Sequence, residues 1–304
     1  MSLNPCHFMH RLARCMKFFL VGFLSLSFLA GCSVQSQLLR SAGDVLSKES
    51  NSADEDLELL QHASAYHLKL SESLLVQIPE HVKLAESVAR GYTQYAFVFL
   101  MDEADRTESE NLQRANHLRV RAAKMLMRAK THGLQALMLK YPQLQATLES
   151  SNTANPFYMA AEETGLAYWT LTAWAGAISL SKDTPDIVAD LPQVMRLAEL
   201  AWKANPSFDH GALAGMMGTL ELAKPGGKPE SAEKYYDQAI QWRGDQIAPL
   251  VSKAENWAVG TQNKDVFTKL LNQAIDEAKN KTDLSNTVML RRARWLLDST
   301  DNLF

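Results

Sequence analysis

Residues 229–242 read PESAEKYYDQAIQW. Ala232, Tyr236 and Ala239 fall four and then three residues apart, which places them on one face of a helix. Two alanines flanking a bulky ring let a neighbouring helix approach that face closely. The same spacing of small, bulky and alanine residues returns at Ala122, Leu126 and Ala129. Phe267, Leu271 and Ala274 keep the last two positions, while Val194, Ala198 and Ala201 keep the alanines and add Pro206 five residues on. The marker alanines at 201, 239 and 274 stand 38 and 35 residues apart, near a repeat period of ~34. Ala129 and Ala201 are separated by 72 residues, which a helix–loop insertion at 132–157 accounts for.

That pattern is the one carried by the second helix of a tetratricopeptide repeat. It divides the chain into four helix pairs, at about 81–131, 158–204, 209–243 and 245–279, with a capping helix at 284–298. The fold class is therefore all-α, a helical-hairpin array in which each pair buries its apolar face on the next. The repeats are cryptic, because Trp174, Gly176 and Ser179 only loosely echo the usual first-helix signature. An irregular helical array without repeat symmetry is the alternative. An amphipathic helix over 54–78, ended by Pro79, precedes the first pair. Residues 140–157, with two prolines and a Ser-Ser-Asn-Thr cluster, form the one long break.

At the other end of the chain, residues 18–32 read FFLVGFLSLSFLAGC. The run is too short to span about 30 Å of hydrocarbon. Arg11, Arg14 and Lys17 precede it and Leu29-Ala30-Gly31-Cys32 closes it, the layout of an export signal. The ending resembles a bacterial lipobox, which implies cleavage after residue 31 and acylation of Cys32. By the same resemblance, Ser33 favours the periplasmic face of the outer membrane over the inner membrane. The domain plan is thus a signal peptide at 1–31, an acylated tether at 32–56 and a helical repeat domain at 57–304. The other two cysteines, Cys6 and Cys15, lie before the cut, so the mature chain holds no disulfide and no thiol nucleophile. Removing the signal takes Lys+Arg from 31 to 28 against 34 Asp+Glu, a formal charge of −6. Such a balance does not suggest a nucleic-acid partner.

Nothing in the motifs supports an enzyme. The histidines form no close ligand pair, so neither a metal nor another cofactor is expected. Ser179–Lys182 and Ser231–Lys234 match Ser-x-x-Lys without its companion motifs. Asp102, Glu103, Asp105, Glu108 and Glu110 read as a solvated turn rather than a paired-carboxylate site. All six tryptophans lie in the C-terminal half. Core packing between helices is one reading of them, and an apolar ligand pocket with a pliable wall at Met216 and Met217 is the other.

The lipobox, GYTQYAFVF at 91–99, RAAKMLMRAKTHGLQAL at 121–137, GLAYWTLTAWAGAISL at 165–180, the long stretch 196–240 and LVSKAENWAV at 250–259 together resemble the TatT family. These are the T-components of tripartite ATP-independent periplasmic (TRAP) transporters. The resemblance implies a periplasm-facing lipoprotein that forms a homotrimer and docks the substrate-binding P-component. It also implies a pore or cavity that holds or passes a small hydrophobic solute, with Tyr168, Trp169, Trp174 and Phe208 as ligand-contact candidates. A protein–protein scaffold of the outer membrane, gripping a peptide or helix in a groove with charged clamps, is the alternative function.

Overall fold

The computed structural model describes residues 37–48, 56–150, 157–281 and 283–304. The signal peptide and Cys32 lie outside the described residues. Among the described residues there is no strand.

Helix α1 covers 37–46 and α2 runs Leu57–Gln77. The first pair is α3 (Val82–Tyr95) continued by a π-helical turn (Ala96–Met101) and α4 (Asp102–Thr107), against α5 (Leu112–Lys140). A short α6 (Leu144–Glu149) sits inside the expected long break. The second pair is α7 (Thr164–Ser179) and α9 (Leu191–Ala204), with the one-turn α8 (Pro185–Val188) between them. The third is α10 (Phe208–Ala223) and α11 (Pro229–Trp242). The fourth is α12 (Ala248–Ser252) with a second π-helical turn (Lys253–Ala258), against α13 (Lys264–Ala278). Helix α14 (Leu284–Asp298) and a last turn α15 (Thr300–Leu303) end the chain.

Local chemistry explains the starts. The Asp56 carboxylate accepts from the backbone N–H of Glu58 and Leu59, Asn111 from Arg114, Asn263 from Val266 and Asp283 from Asn286, each satisfying an orphan donor of a first turn. Proline occupies the first turn of α11, where its missing N–H costs nothing.

The markers read from sequence pack as a set. Ala122, Leu126, Ala129, Val194, Ala198, Ala201, Ala232, Tyr236, Ala239, Phe267, Leu271 and Ala274 are all 0% exposed. Each wholly buried Leu or Phe among them contributes ~1.5–3 kcal/mol, and the alanines set the close approach. Burial pushes the Tyr236 phenol up to about 12, and its hydroxyl lies 2.8 Å from that of Thr219 on α10.

Two features were not anticipated. Residues 37–46, placed within the tether by sequence, form a helix whose Leu39 and Leu46 pack against the core. Of the acidic residues around 102–110, Glu108 and Glu110 lie in an exposed turn as read, but Asp102 does not. Asp102 is 9% exposed, and its carboxylate binds Arg106, Arg291 and Arg292.

Those arginines close the array on itself. Arg291 Nη2 donates to the Val98 carbonyl at 3.2 Å, and Arg292 joins Asp105 at 2.9 Å and also pairs with Glu255 of the second π-turn. In sequence order α3 packs on α7, α7 on α10, and α10 on the second π-turn. Helix α14 then links that turn back to α4 through these arginines, so the first helices of the four pairs and α14 together form a closed circuit of contacts. Burial by itself would weaken the Arg292 charge, but Glu255 and Asp105 outweigh it and hold the guanidinium more firmly protonated than usual.

Candidate functional site

Three of the four expected ligand-contact residues come together. Tyr168 and Trp169 on α7 meet edge to face with ring centres 5.0 Å apart, and Tyr168 lies 5.3 Å from Phe208 at the start of α10. All three rings are half-buried. Such contacts stabilise by about 0.5–1.5 kcal/mol beyond area burial.

Trp174 stands apart from them. It is 2% exposed, its indole N–H donates to Asp190 at 2.8 Å, and Lys130 lies 4.0 Å above its ring while pairing with the same carboxylate at 2.8 Å. Its surface is spent on joining α5, α7 and the turn before α9.

The backbone at Phe208 is unusual. Asp209, His210 and Gly211 have φ of 47°, 51° and 86°, three consecutive left-handed residues. For the two non-glycines this costs roughly 1–2 kcal/mol each, and strain of this kind collects where geometry serves function. Gly211 is required twice over, by its φ and because a Cβ there would lie 2.8 Å from the Ala239 carbonyl oxygen.

The strained turn places a charge beside the rings. Burial pushes the Tyr168 phenol well above its usual value, and the Asp209 carboxylate pushes it further. Burial lowers the affinity of the Arg90 guanidinium for its proton, while Asp209 acts in the opposite sense. Arg90 on α3, the aromatic pair on α7 and the Phe208–Asp209 step on α10 therefore share one electrostatic neighbourhood. Nothing in this set is a nucleophile with a base, and the arrangement suits holding an apolar body beside a charged pair. Among the described residues no His, Cys, Asp and Glu group could hold a metal ion.

Two open clefts accompany it. One, of about 190 Å³, lies between α9, α10 and α11, with Met195, Trp202, Met217 and Tyr235 as its apolar wall and Glu199, Lys203, Glu221 and Lys224 at its edge. Trp202 meets Tyr235 edge to face at 5.3 Å and approaches Trp242 at 6.2 Å. Met217 was foreseen as a pliable wall, whereas Trp202 and Tyr235 were missed as a pair. Their only sequence signal was a tryptophan at the end of one marker helix and a tyrosine beside a marker in the next. The other cleft, of about 210 Å³, lies beside Leu75, Pro79, His132 and Gln135. Next to it the Glu72 carboxylate of α2 receives Arg128 Nη2 at 3.0 Å, contacts His132 Nε2 at 2.8 Å and pairs with Lys69.

The family model for the TRAP transporter T-component matches residues 53–304. A protein of Treponema pallidum (strain Nichols), itself named as uncharacterized, is 23% identical over 262 residues, covering 83% of this chain and 81% of its own.

Proposed function

The chain belongs to the TRAP transporter T-component family, and from that premise we propose that it is a lipid-anchored accessory component holding or passing a small hydrophobic solute. In this reading Cys32 carries the anchor, the domain faces the periplasm from the outer membrane, and three copies assemble and dock the substrate-binding P-component. The helix pairs act as tetratricopeptide-like repeats. Tyr168, Trp169 and Phe208 touch the solute, and Trp174 braces the wall behind them. No helix among the described residues is long and apolar enough to cross a membrane.

The observation that carries the reading is the closed circuit of first helices sealed by Arg292, Asp105 and Glu255. In this reading the aromatic cluster faces the interior of that circuit rather than an open groove, and an apolar surface with one charged neighbourhood suits a solute. The test is binding of the mature chain to the P-component from the same genome by surface plasmon resonance. Saturable association supports the proposal, and no association with any of that genome's P-components contradicts it.

The cleft at Trp202 favours a second reading. Its aromatic wall edged by two lysines and two glutamates has the form of a clamp for a peptide or helix, as a scaffold would need. Loss of partner binding on Trp202→Ala with solute binding intact would assign the cleft to the partner.

A further inference from the structure

Helix α1 carries two charged residues, and both reach a partner on the domain while staying largely exposed. Arg40 pairs with Glu80 at 3.0 Å, and Asp44 with His81 at 3.2 Å. Leu39 and Leu46 face the same way and pack on the core. Gly43 makes the approach possible, since a Cβ there would lie 3.0 Å from both the His81 ring and the Ile78 side chain. The opposite face, at Leu38, Ser41, Ala42 and Val45, is uncharged and open, with Leu38 67% and Val45 66% exposed.

The length of chain before α1 says what covers that face. Cys32 precedes Gln37 by five residues, and five residues extend at most about 18 Å. An acyl group seated in a bilayer at Cys32 therefore keeps the start of α1 within about 18 Å of the point of insertion. A flexible tether of two dozen residues would let the domain swing freely, whereas a docked α1 does not.

We propose that the Leu38–Val45 face of α1 lies on the lipid surface, so that the anchored domain is held at a fixed orientation with α1 as its foot. The inference rests on the reading of Cys32 as acylated. Two apolar side chains and two small ones bind a bilayer weakly alone, but beside a covalent anchor they need only choose which face turns down. Arg40 and Asp44 lie to one side of that face, paired with Glu80 and His81 and still solvated at 60% and 69% side-chain exposure, so the contact need not strip them of water.

The test uses the full acylated chain in phosphatidylethanolamine–phosphatidylglycerol vesicles, with Val45→Cys or Leu38→Cys carrying an environment-sensitive fluorophore. Asp301→Cys, at a side chain 100% exposed, is the reference. Mass spectrometry of the N-terminal peptide reports acylation independently. The expected result is that nitroxide lipids remove about half of the emission at 38 and 45, as for a group within 5–10 Å of the acyl boundary, and leave 301 unchanged. An acylated, vesicle-bound protein whose label at 45 is quenched by aqueous iodide as readily as at 301 overturns the proposal and spares the anchor. Shielding at 45 already present without vesicles assigns the face to a protein contact and also overturns it. An unmodified Cys32 overturns both.

Discussion

Arg292 and Asp105 lie 187 positions apart in the chain and meet at 2.9 Å. Through that pair α14 grips the first helix pair, and the two ends of the array are joined. Arg292 is 15% exposed at its side chain, so the contact lies largely out of solvent. Removing Arg292 takes one partner each from Asp105, Asp102 and Glu255, although Asp105 keeps Arg119 at 3.1 Å and Asp102 keeps Arg106 and Arg291. Arg292→Met should therefore cost about 1–3 kcal/mol, read as a lower midpoint in urea. Asp105→Asn on top of it should cost far less than it does alone, a coupling that a double-mutant cycle measures. Additive effects would mean that the closure carries no energy.

Glu72 gives the fold an acid limit. Burial raises its carboxyl, but hydrogen bonds from Lys69, His132 and Arg128 outweigh this and hold it at about 2 against an ordinary 4.5. A depressed carboxyl stabilises fully above its unfolded value and loses that contribution as pH falls toward the folded one. The wild type should lose about 3 kcal/mol between pH 5 and pH 2 from this group. Glu72→Gln, less stable at pH 7, should show a flatter curve across that window. Parallel curves would contradict the assignment.

The four helix pairs were legible because their markers answer to a local rule. Ala232, Tyr236 and Ala239 had to share a face, and a shared small face in a helix is nearly always a contact. The closure was not legible, since no periodicity links Arg292 to Asp105, and an acidic turn looks the same whether water or arginine meets it. Helix α1 was missed for a related reason. Its inward residues are only Leu39, Gly43 and Leu46, too few to stand out from a polar linker. In the candidate site the aromatics announced themselves by type, but the Asp209–Gly211 turn did not, because a left-handed backbone at Asp209 and His210 has no residue signature.

That turn can be probed directly. Gly211→Ala combines a positive φ with a Cβ against the Ala239 backbone and should destabilise by about 1–3 kcal/mol. Gly260→Ala, where a Cβ meets open space, should be neutral or slightly stabilising by comparison. Equal effects in thermal melts would mean that the turn relaxes in solution.

Trp174 and Trp169 should separate packing from binding. Trp174→Phe removes the N–H that Asp190 accepts and should cost about 1–3 kcal/mol without changing which solutes bind. Trp169→Ala should lower the melting temperature through the lost ring contact with Tyr168 and in addition weaken binding of an apolar fluorescent probe about tenfold, or about 1.4 kcal/mol. The reverse pattern would move the site away from the aromatic pair.

The most direct measurement is native mass spectrometry of the purified mature chain, which reads subunit number and bound mass together. A trimer whose mass includes a small apolar molecule, released when Trp169 is replaced by alanine, is the expected result. A monomer of bare polypeptide mass, unchanged on adding apolar solutes, would contradict the account.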